Sequence, residues 1–297
     1  MPIPNILILT AKILQFKHIG QKWKYNNLYI GSIQKYNHKM KRRTFLKNSA
    51  VAAGSVMAAG NLSASEAQPA SKNIYELKVY QFSGGAGVNQ IKNYYTKAVI
   101  PFLNKRGATV GAFGEYSKEE PPRIYILHAH KSPTAYWNAV QEMKTDAAFI
   151  DAAKPYHNLP ASQPVFERYE TLLLEAFKSI PQLRTPSKDR GLFELRIYES
   201  HNEDAFKRKV KMFDDEELPL FDKVGLHPVF FGELLAGKYM PALVYMLWFK
   251  DMKEREANWD KFRTSNEWEV MRNKEIYANT VSKVRKLFLE PLDFSQI

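Results

Sequence analysis

The chain contains no cysteine, and its first 65 residues contain no aspartate or glutamate. Because cysteine is absent, disulfide bonds, thiolate nucleophiles and cysteine-bound metals are excluded. The sequence also lacks a dinucleotide-binding glycine fingerprint, a metal-binding H-E-x-x-H helix and a Ser-His-Asp order. No short motif therefore identifies a reaction.

The net charge of +12 over 297 residues is concentrated at one end of the chain. Residues 1–65 contain ten of the 43 lysines and arginines, which leaves 33 bases and 31 acids in residues 66–297. Nucleic-acid binding requires a basic surface on the folded part of a protein. The net charge of only +2 on residues 66–297 therefore argues against a nucleic-acid partner.

The basic N-terminal segment has the layout of an export signal. The stretch MKRRTFLKNSAVAAGSVMAAGNLSASEAQ (40–68) places the pair Arg42-Arg43 before a mildly apolar run and several small residues. That layout predicts a twin-arginine signal peptide over 40–67 and a periplasmic or extracytoplasmic mature protein. The run is too short to span a bilayer, so no stable membrane insertion is expected after signal removal. The alternative is a basic, alanine-rich helix that stays attached.

Residues 1–39 precede the position where such a signal normally begins. They contain no acids, show no clear periodicity and end just before Met40. We expect Met40 to be the translation start and 1–39 to be an over-extended reading of the gene. A long basic region at the front of the signal is the alternative.

An internal repeat organises the rest of the chain. An offset of 118 residues places YELKVY (75–80) on FELRIY (193–198) and FGE (113–115) on FGE (231–233) without a gap. Several coincidences at one offset indicate a duplication. The predicted units are 73–175 and 192–290, joined by a linker at 176–191 that is rich in proline, serine and charge.

Each unit shows alternating strand patterns and amphipathic helical patterns in the order β-α-β-β-α-β, which is the ferredoxin-like unit. Pro101 and Pro219 should kink the first helix of each unit near its end. The fold class is therefore α+β, a tandem duplication of ferredoxin-like units. Since the helices cover one face of each sheet, the two bare faces should pack against each other.

Several stretches of the second unit resemble the NIPSNAP family, within the dimeric α+β barrel superfamily. They are FELRIYES, LPLFDKVGLHPVFFGELLAG, PALVYMLWFKDMKEREANWDKF and SNEWEVM, and the likeness is closest over 192–290. The resemblance implies an intrachain α+β barrel with helices outside and a cavity within. Superfamily relatives include small monooxygenases, haem-degrading enzymes and decarboxylating or dismutating enzymes, so the resemblance implies no single reaction and leaves any cofactor unknown.

The alternating strand at 193–198 supplies the first candidate site. We expect its apolar side chains to pack under the helices and its polar side chains to face the barrel interior. The apolar set is Phe193, Leu195 and Ile197; the polar set, taken as catalytic candidates, is Glu194, Arg196 and Tyr198. The alternative is that the charged side chains pair across strands and seal the barrel.

The first unit offers matching candidates. Glu76, Lys78 and Tyr80 should line the same cavity, and RIYILHAH (123–130) puts His128 and His130 on one strand face. Two histidines so spaced can transfer protons or bind a metal ion. No third ligand lies nearby in sequence, so no metal is assigned, and a solvent-facing pair at the strand end remains open.

Other polar side chains are weaker cavity candidates. Glu115 and Glu233 follow the repeated Phe-Gly, where a carboxylate beside a glycine can act as a general base, and His227 begins the same strand as Glu233. The alternative is a bulge acid in solvent. The other histidines, His157 and His201, enter a site only if the fold brings them close.

These observations predict a monooxygenase-like small-molecule enzyme whose cavity takes an apolar or aromatic ligand. A non-catalytic binding protein and a structural module with a filled barrel are the alternatives. The duplication supplies both halves of the barrel from one chain, so a monomer is sufficient, although a homodimer is compatible with the sequence.

Overall fold

The computed structural model describes residues 71–297, so the predicted upstream extension (1–39) and signal peptide (40–67) lie outside the described part. The first unit comprises β1 Ile74–Gln81, α1 Ala86–Tyr94, α2 Ile100–Asn104, β2 Thr109–Glu115, β3 Arg123–His130, α3 Pro133–Glu142, α4 Ala147–His157 and β4 Arg168–Ala176. The second comprises β5 Leu192–Glu199, α5 Glu203–Met212, α6 Leu218–Val224, β6 His227–Ala236, β7 Ala242–Phe249, α7 Met252–Thr264, α8 Asn266–Arg272, a 3-10 turn Glu275–Tyr277 and β8 Lys283–Pro291.

The eight strands close into one barrel in the order β1-β3-β2-β8-β5-β7-β6-β4. Each unit contributes four neighbouring antiparallel strands in the ferredoxin-like order, and the pairs β2–β8 and β4–β6 join the two units. The predicted fold, two tandem ferredoxin-like units in one intrachain α+β barrel, is confirmed.

Side-chain caps explain where most of the longer helices begin. Ser132 accepts a hydrogen bond from the backbone N–H of Ala135, and Asp251 caps α7 in the same way. Both residues satisfy an N–H group that the first helical turn leaves free. These two caps mark equivalent positions in the two units and allow their helices to be compared residue by residue.

A π-helical turn precedes each of the two prolines at which a kink was predicted. The turn Tyr95–Val99 joins α1 to α2, and Phe213–Glu217 joins α5 to α6 at the equivalent place. Pro101 and Pro219 follow immediately, at the start of the next helix. Because proline cannot donate a backbone hydrogen bond, the widened turn accommodates it without breaking the helix.

The barrel interior is filled with apolar side chains. Phe193, Leu195 and Ile197 pack there with residues from the other strands, among them Phe113 and Phe230. An eight-stranded barrel is only just wide enough for its own side chains to fill. The expectation of an open cavity inside the barrel is therefore wrong.

The predicted orientation of the alternating strands is also wrong. Glu194, Arg196 and Tyr198 point outward, toward the helices, and Glu76, Lys78 and Tyr80 do the same in the first unit. Since both faces of the sheet are covered, the bulky apolar set fills the narrow interior and the polar set lies under the helices.

Each half-barrel packs its own helices on its outer face. In the first unit, Ile124 and Ile126 belong to the same buried apolar cluster as Ile91 and Phe102 of the helical layer. In the second unit, Phe231 and Tyr245 stack at 4.5 Å between ring centres and pack against the helical layer. Within residues 71–297, no helix is long and apolar enough to cross a membrane.

Candidate functional site

A pocket of about 370 Å³ lies between the first-unit sheet and its helices. Its lining combines a charged floor from β1 and β3 with a largely aromatic and aliphatic wall. The lining residues are Glu76, Lys78, Tyr80, Tyr94, Tyr95, Val99, Leu103, His128, His130, Tyr136, Ala139, Val140, Met143, Tyr156 and Tyr169. Five predicted site residues therefore meet in one place, outside the barrel rather than inside it.

The floor of the pocket is organised around Glu76. Antiparallel pairing sets Glu76 directly opposite His128 on the neighbouring strand. The Oε2 atom of Glu76 lies 2.9 Å from Nδ1 of His128. Since an ionised carboxylate only accepts, His128 donates its Nδ1 proton, and its other nitrogen, Nε2, carries the lone pair.

The charge states of the floor follow from burial and these contacts. Burial acts to raise the pKa of Glu76, but the His128 hydrogen bond and the charge of Lys78 outweigh it and lower that pKa to about 2. Burial lowers the pKa of His128, against the opposing effect of Glu76. Burial likewise lowers the pKa of His130 to about 4. At neutral pH the floor therefore holds one carboxylate and two neutral imidazoles.

Both imidazoles carry a polar atom without a partner. The Nε2 atoms of His128 and His130 are buried, and neither has a hydrogen-bond partner in the described part of the chain. Buried polar atoms are almost always satisfied, and exceptions cluster at functional sites. The unpartnered Nε2 of His128 is also the atom that the Glu76 contact makes basic.

A lysine completes the charged floor. The Nζ atom of Lys78 lies 3.3 Å from Oε1 of Glu76, the oxygen that His128 does not use. It also lies 5.4 Å from the ring centre of Tyr169 at the pocket wall. The single carboxylate of Glu76 therefore interacts with both Lys78 and His128.

Six tyrosines form much of the wall, and sequence reasoning had singled out only Tyr80 as a site residue. The hydroxyls of Tyr80 and Tyr95 are 3.3 Å apart, and the rings of Tyr94 and Tyr156 stack at 4.0 Å. Burial raises the pKa of Tyr94 to about 12 and that of Tyr95 well above its usual value. These phenols therefore remain protonated. The run Tyr94-Tyr95 in the first helix was the one sequence signal that pointed to them.

Glu76, His128 and His130 are also the residues that could hold a metal. One potential ligand atom from each lies within 4.8 Å of the other two. Both carboxylate oxygens of Glu76 are engaged by other groups, however, and the ammonium of Lys78 disfavours a second cation at this position. The remaining candidates, His157, His201 and His227, do not join this cluster.

The equivalent place in the second unit is closed by a polar network. Glu194, which is fully buried, accepts hydrogen bonds from Arg196 at 2.8 Å and from Arg255 at 3.0 Å. The indole N–H of Trp259 donates to Glu194 Oε2 at 2.8 Å. Arg196 also donates to the Tyr198 hydroxyl at 2.9 Å. The alternative of paired charges that seal the structure describes this unit, although the pairing runs along β5 to Arg196 and up to Arg255 of α7 rather than across strands.

The two units differ at one decisive helix position. Counted from the caps Ser132 and Asp251, the eighth residue is Val140 in the first unit and Trp259 in the second. Trp259 extends over Glu194, whereas Val140 leaves space above Glu76. The pocket therefore exists in the first unit because a small side chain stands where the second has an indole.

Three predicted cavity residues lie elsewhere. Glu115 accepts a hydrogen bond from Tyr125 at 2.8 Å near one end of the barrel. His227 stacks on Trp248 at 4.5 Å and is not part of the pocket. Glu233 is half-buried on β6, where burial raises its pKa. None of them lines the pocket.

The tryptophan of α3 does not belong to the buried core. Trp137 is 61% exposed on α3, while Trp259 is buried. Trp137 is therefore not the counterpart of Trp259, because the cap positions pair Trp259 with Val140.

Comparison with known proteins finds a family likeness in the second unit. Residues 193–296 match the NIPSNAP family model. No curated protein matches the chain in sequence.

Solved structures resemble this chain to different degrees. A candidate monooxygenase from Lactobacillus acidophilus NCFM is 10% identical with a TM-score of 0.51, and the likeness covers 74% of this chain and 94% of that one. A NIPSNAP family protein from Agrobacterium tumefaciens C58 is 15% identical with a TM-score of 0.33, over 36% of this chain and 97% of that one. An anthrone oxidase-like protein is 8% identical with a TM-score of 0.42, over 74% and 92%. The match over residues 193–296 supports the family resemblance seen in the sequence, and the L. acidophilus structure supports the α+β barrel fold.

Proposed function

We propose that the protein is a monooxygenase-like small-molecule enzyme in which His128 removes a proton from an aromatic substrate bound in the first-unit pocket. The observation that carries this proposal is the Glu76–His128 pair, whose free Nε2 is buried without a partner against an aromatic wall. A general base must lie within hydrogen-bond reach of the proton it takes. Nε2 of His128 is the basic atom on the pocket floor.

Glu76 makes this base effective in two ways. It accepts the Nδ1 proton and so fixes the tautomer that leaves Nε2 free. It also stabilises the positive charge that forms on the imidazole after proton transfer, because an ionised carboxylate lies 2.9 Å away. Both of its carboxylate oxygens face His128 or Lys78, so Glu76 is proposed to act through His128 as a positioning residue.

The pocket size and wall favour a planar aromatic ligand. A cavity of about 150 Å³ holds a single benzene ring, so a volume of 370 Å³ accommodates two or three fused rings. Val99, Leu103 and Met143 give the wall aliphatic surface, and the tyrosine hydroxyls supply hydrogen-bond donors. This combination of apolar surface and a few polar groups is typical of small-molecule sites.

Dioxygen is the proposed second reactant. Loss of a proton from an activated CH₂ group leaves an electron-rich carbanion, and reaction with O₂ converts the CH₂ into a carbonyl with release of one water molecule. This stoichiometry balances without a cofactor. Its support is the barrel fold shared with the L. acidophilus protein, whose name assigns it to monooxygenases.

Anthrone is a suitable test compound, because it has three fused rings and an acidic CH₂ group. Oxygen uptake and anthraquinone formation should exceed the uncatalysed rate with the wild-type protein and return to it with His128→Gln. Binding of anthrone without oxygen uptake would favour the binding-protein alternative. Absence of binding would favour the structural-module alternative.

We also propose that the protein is exported through the twin-arginine signal at 40–67. The arginine pair, the apolar run and the small residues after it support this proposal. Arg42→Lys together with Arg43→Lys should retain the precursor in the cytoplasm. Recovery of the double variant in the periplasm at the wild-type level would contradict the proposal.

A further inference from the structure

The pocket contains a cation that the proposed proton transfer leaves unused. Lys78 and Arg196 occupy equivalent positions on β1 and β5, but their surroundings differ. Arg196 donates hydrogen bonds to Glu194 and Tyr198, and its Cζ atom lies 3.9 Å from the ring centre of Trp259. Within the described residues, Lys78 has one charged partner, Glu76.

That one partner is shared. Glu76 gives Oε1 to Lys78 and Oε2 to His128, so a single negative charge faces both groups. The Lys78 ammonium has three N–H donors, and one contact with Glu76 leaves donors for another acceptor. Its side chain is 20% exposed and lines the pocket. A ligand in the pocket can therefore reach both the ammonium and the basic nitrogen of His128.

We propose that Lys78 binds the oxyanion that forms on the substrate when His128 takes its proton, and that the pocket therefore selects phenols and enolisable aromatic ketones. This inference rests on the proposed function and specifies its substrate class. The O–H bond of a phenol, or the C–H bond beside a carbonyl, breaks. The proton goes to Nε2 of His128, and the electron pair is delocalised onto the substrate oxygen.

After this proton transfer, every charged group in the pocket has a partner of opposite charge. Before the transfer, Glu76 neutralises Lys78 while His128 is neutral. After it, Glu76 stabilises protonated His128, and Lys78 is left opposite the new oxyanion. A fixed cation at the place where negative charge develops lowers the barrier to its formation. An unsubstituted aromatic hydrocarbon forms no such oxyanion and gains nothing from Lys78.

A coloured phenol tests this pairing directly. The probe is 4-nitro-1-naphthol, whose phenolate absorbs visible light, and its methyl ether, which cannot ionise. Wild-type protein should bind the phenolate at least tenfold more tightly than the ether. It should also lower the apparent pKa of the bound phenol by at least one pH unit, measured by absorbance across a pH series.

Matched variants assign the effect to Lys78. Lys78→Met should bind both compounds about equally and remove the pKa shift, while Lys78→Arg should retain most of it. Lys97→Met is the control, because it removes one exposed lysine of the same unit that does not line the pocket. If Lys78→Met is too unstable to study, the comparison of phenolate with ether in the wild-type protein still decides whether the pocket prefers an oxyanion.

The outcomes separate this inference from the proposed function. A probe that binds as the phenolate equally well in wild type and Lys78→Met overturns the role of Lys78 and leaves the pocket intact as a site. A wild-type protein that binds the ether as tightly as the phenolate also overturns it. Failure of the wild-type protein to bind either compound overturns the proposed function itself, and the inference with it.

Discussion

Trp259 donates its indole N–H to Glu194 across 2.8 Å, and in doing so it occupies the place that is an open pocket in the other half of the barrel. The first-unit counterpart of Glu194 is Glu76, and the counterpart of Trp259 is Val140. One duplicated framework therefore holds a carboxylate at the same strand position twice. In the second unit, the carboxylate of Glu194 accepts hydrogen bonds from Arg196, Arg255 and Trp259. In the first unit, the carboxylate of Glu76 accepts a hydrogen bond from His128.

His128→Gln should slow turnover strongly and spare binding. A positioned general base contributes a factor of about 10² to 10⁴ to a reaction rate. Glutamine keeps a polar group of similar reach but accepts no proton, so kcat should fall by about that factor while the dissociation constant of a bound aromatic changes little. Steady-state kinetics and calorimetry on one preparation measure both. Undiminished kcat would remove His128 from the mechanism.

Glu76→Gln should act through His128. An amide still accepts a hydrogen bond but provides no negative charge, so kcat should fall at least tenfold. The charge of Glu76 also raises the pKa of His128, so its loss should shift the acid limb of the pH–rate profile to lower pH. A fall in rate with an unmoved acid limb would assign Glu76 a purely structural role.

Glu194→Ala should destabilise the fold strongly. The change leaves Arg196 and Arg255 with buried, unpaired charges, and removal of one partner of a buried ion pair costs about 3–5 kcal/mol. Urea denaturation measures the loss. Glu267→Ala is the control, since it removes an exposed acid of a surface ion pair that water and salt screen, and it should cost far less stability. Equal losses in both variants would contradict the account of the second-unit network.

Acid should destabilise the protein through His130. The unfolded chain protonates this residue near pH 6.5, its ordinary value, whereas burial holds the folded-state pKa at about 4. Between those two values the unfolded state binds more protons, so the free energy of unfolding should fall as the pH falls. The contribution is at most about 1.4 kcal/mol per pH unit.

His130→Gln should flatten that dependence between pH 6.5 and 4, measured by urea denaturation at a series of pH values. His157→Gln should leave it unchanged, because the side chain of His157 is exposed on α4. A wild-type slope in His130→Gln would show that another group titrates in this window.

The repeat and the strand pattern made the fold predictable. Matching YELKVY to FELRIY gave two ferredoxin-like units, and their bare sheet faces implied a closed structure. Period-two alternation also identified correctly that His128 and His130 share a face. It cannot identify which face is inside, however, because both faces of this sheet are covered. That ambiguity explains why the predicted orientation of Glu194 was the reverse of the observed one. It also explains why a cavity was expected inside the barrel.

The site itself depends on pairings that the sequence does not state. The contact between Glu76 and His128 arises because β3 returns beside β1 in exact register, 52 residues along the chain. The aromatic wall arises because helices place Tyr95 and Tyr136 over that strand pair. The small residue that opens the pocket, Val140, is recognisable only after its helix is aligned with α7 from the caps.

The most direct test of the account is calorimetric titration of 4-nitro-1-naphthol into wild-type protein and Val140→Trp, with Gln141→Trp, an exposed neighbour on α3, as the control. The account predicts one bound molecule per chain in the wild type and the control, and none in Val140→Trp, because the new indole should fill the first unit as Trp259 fills the second. Wild-type affinity in Val140→Trp, or two molecules per wild-type chain, would contradict it.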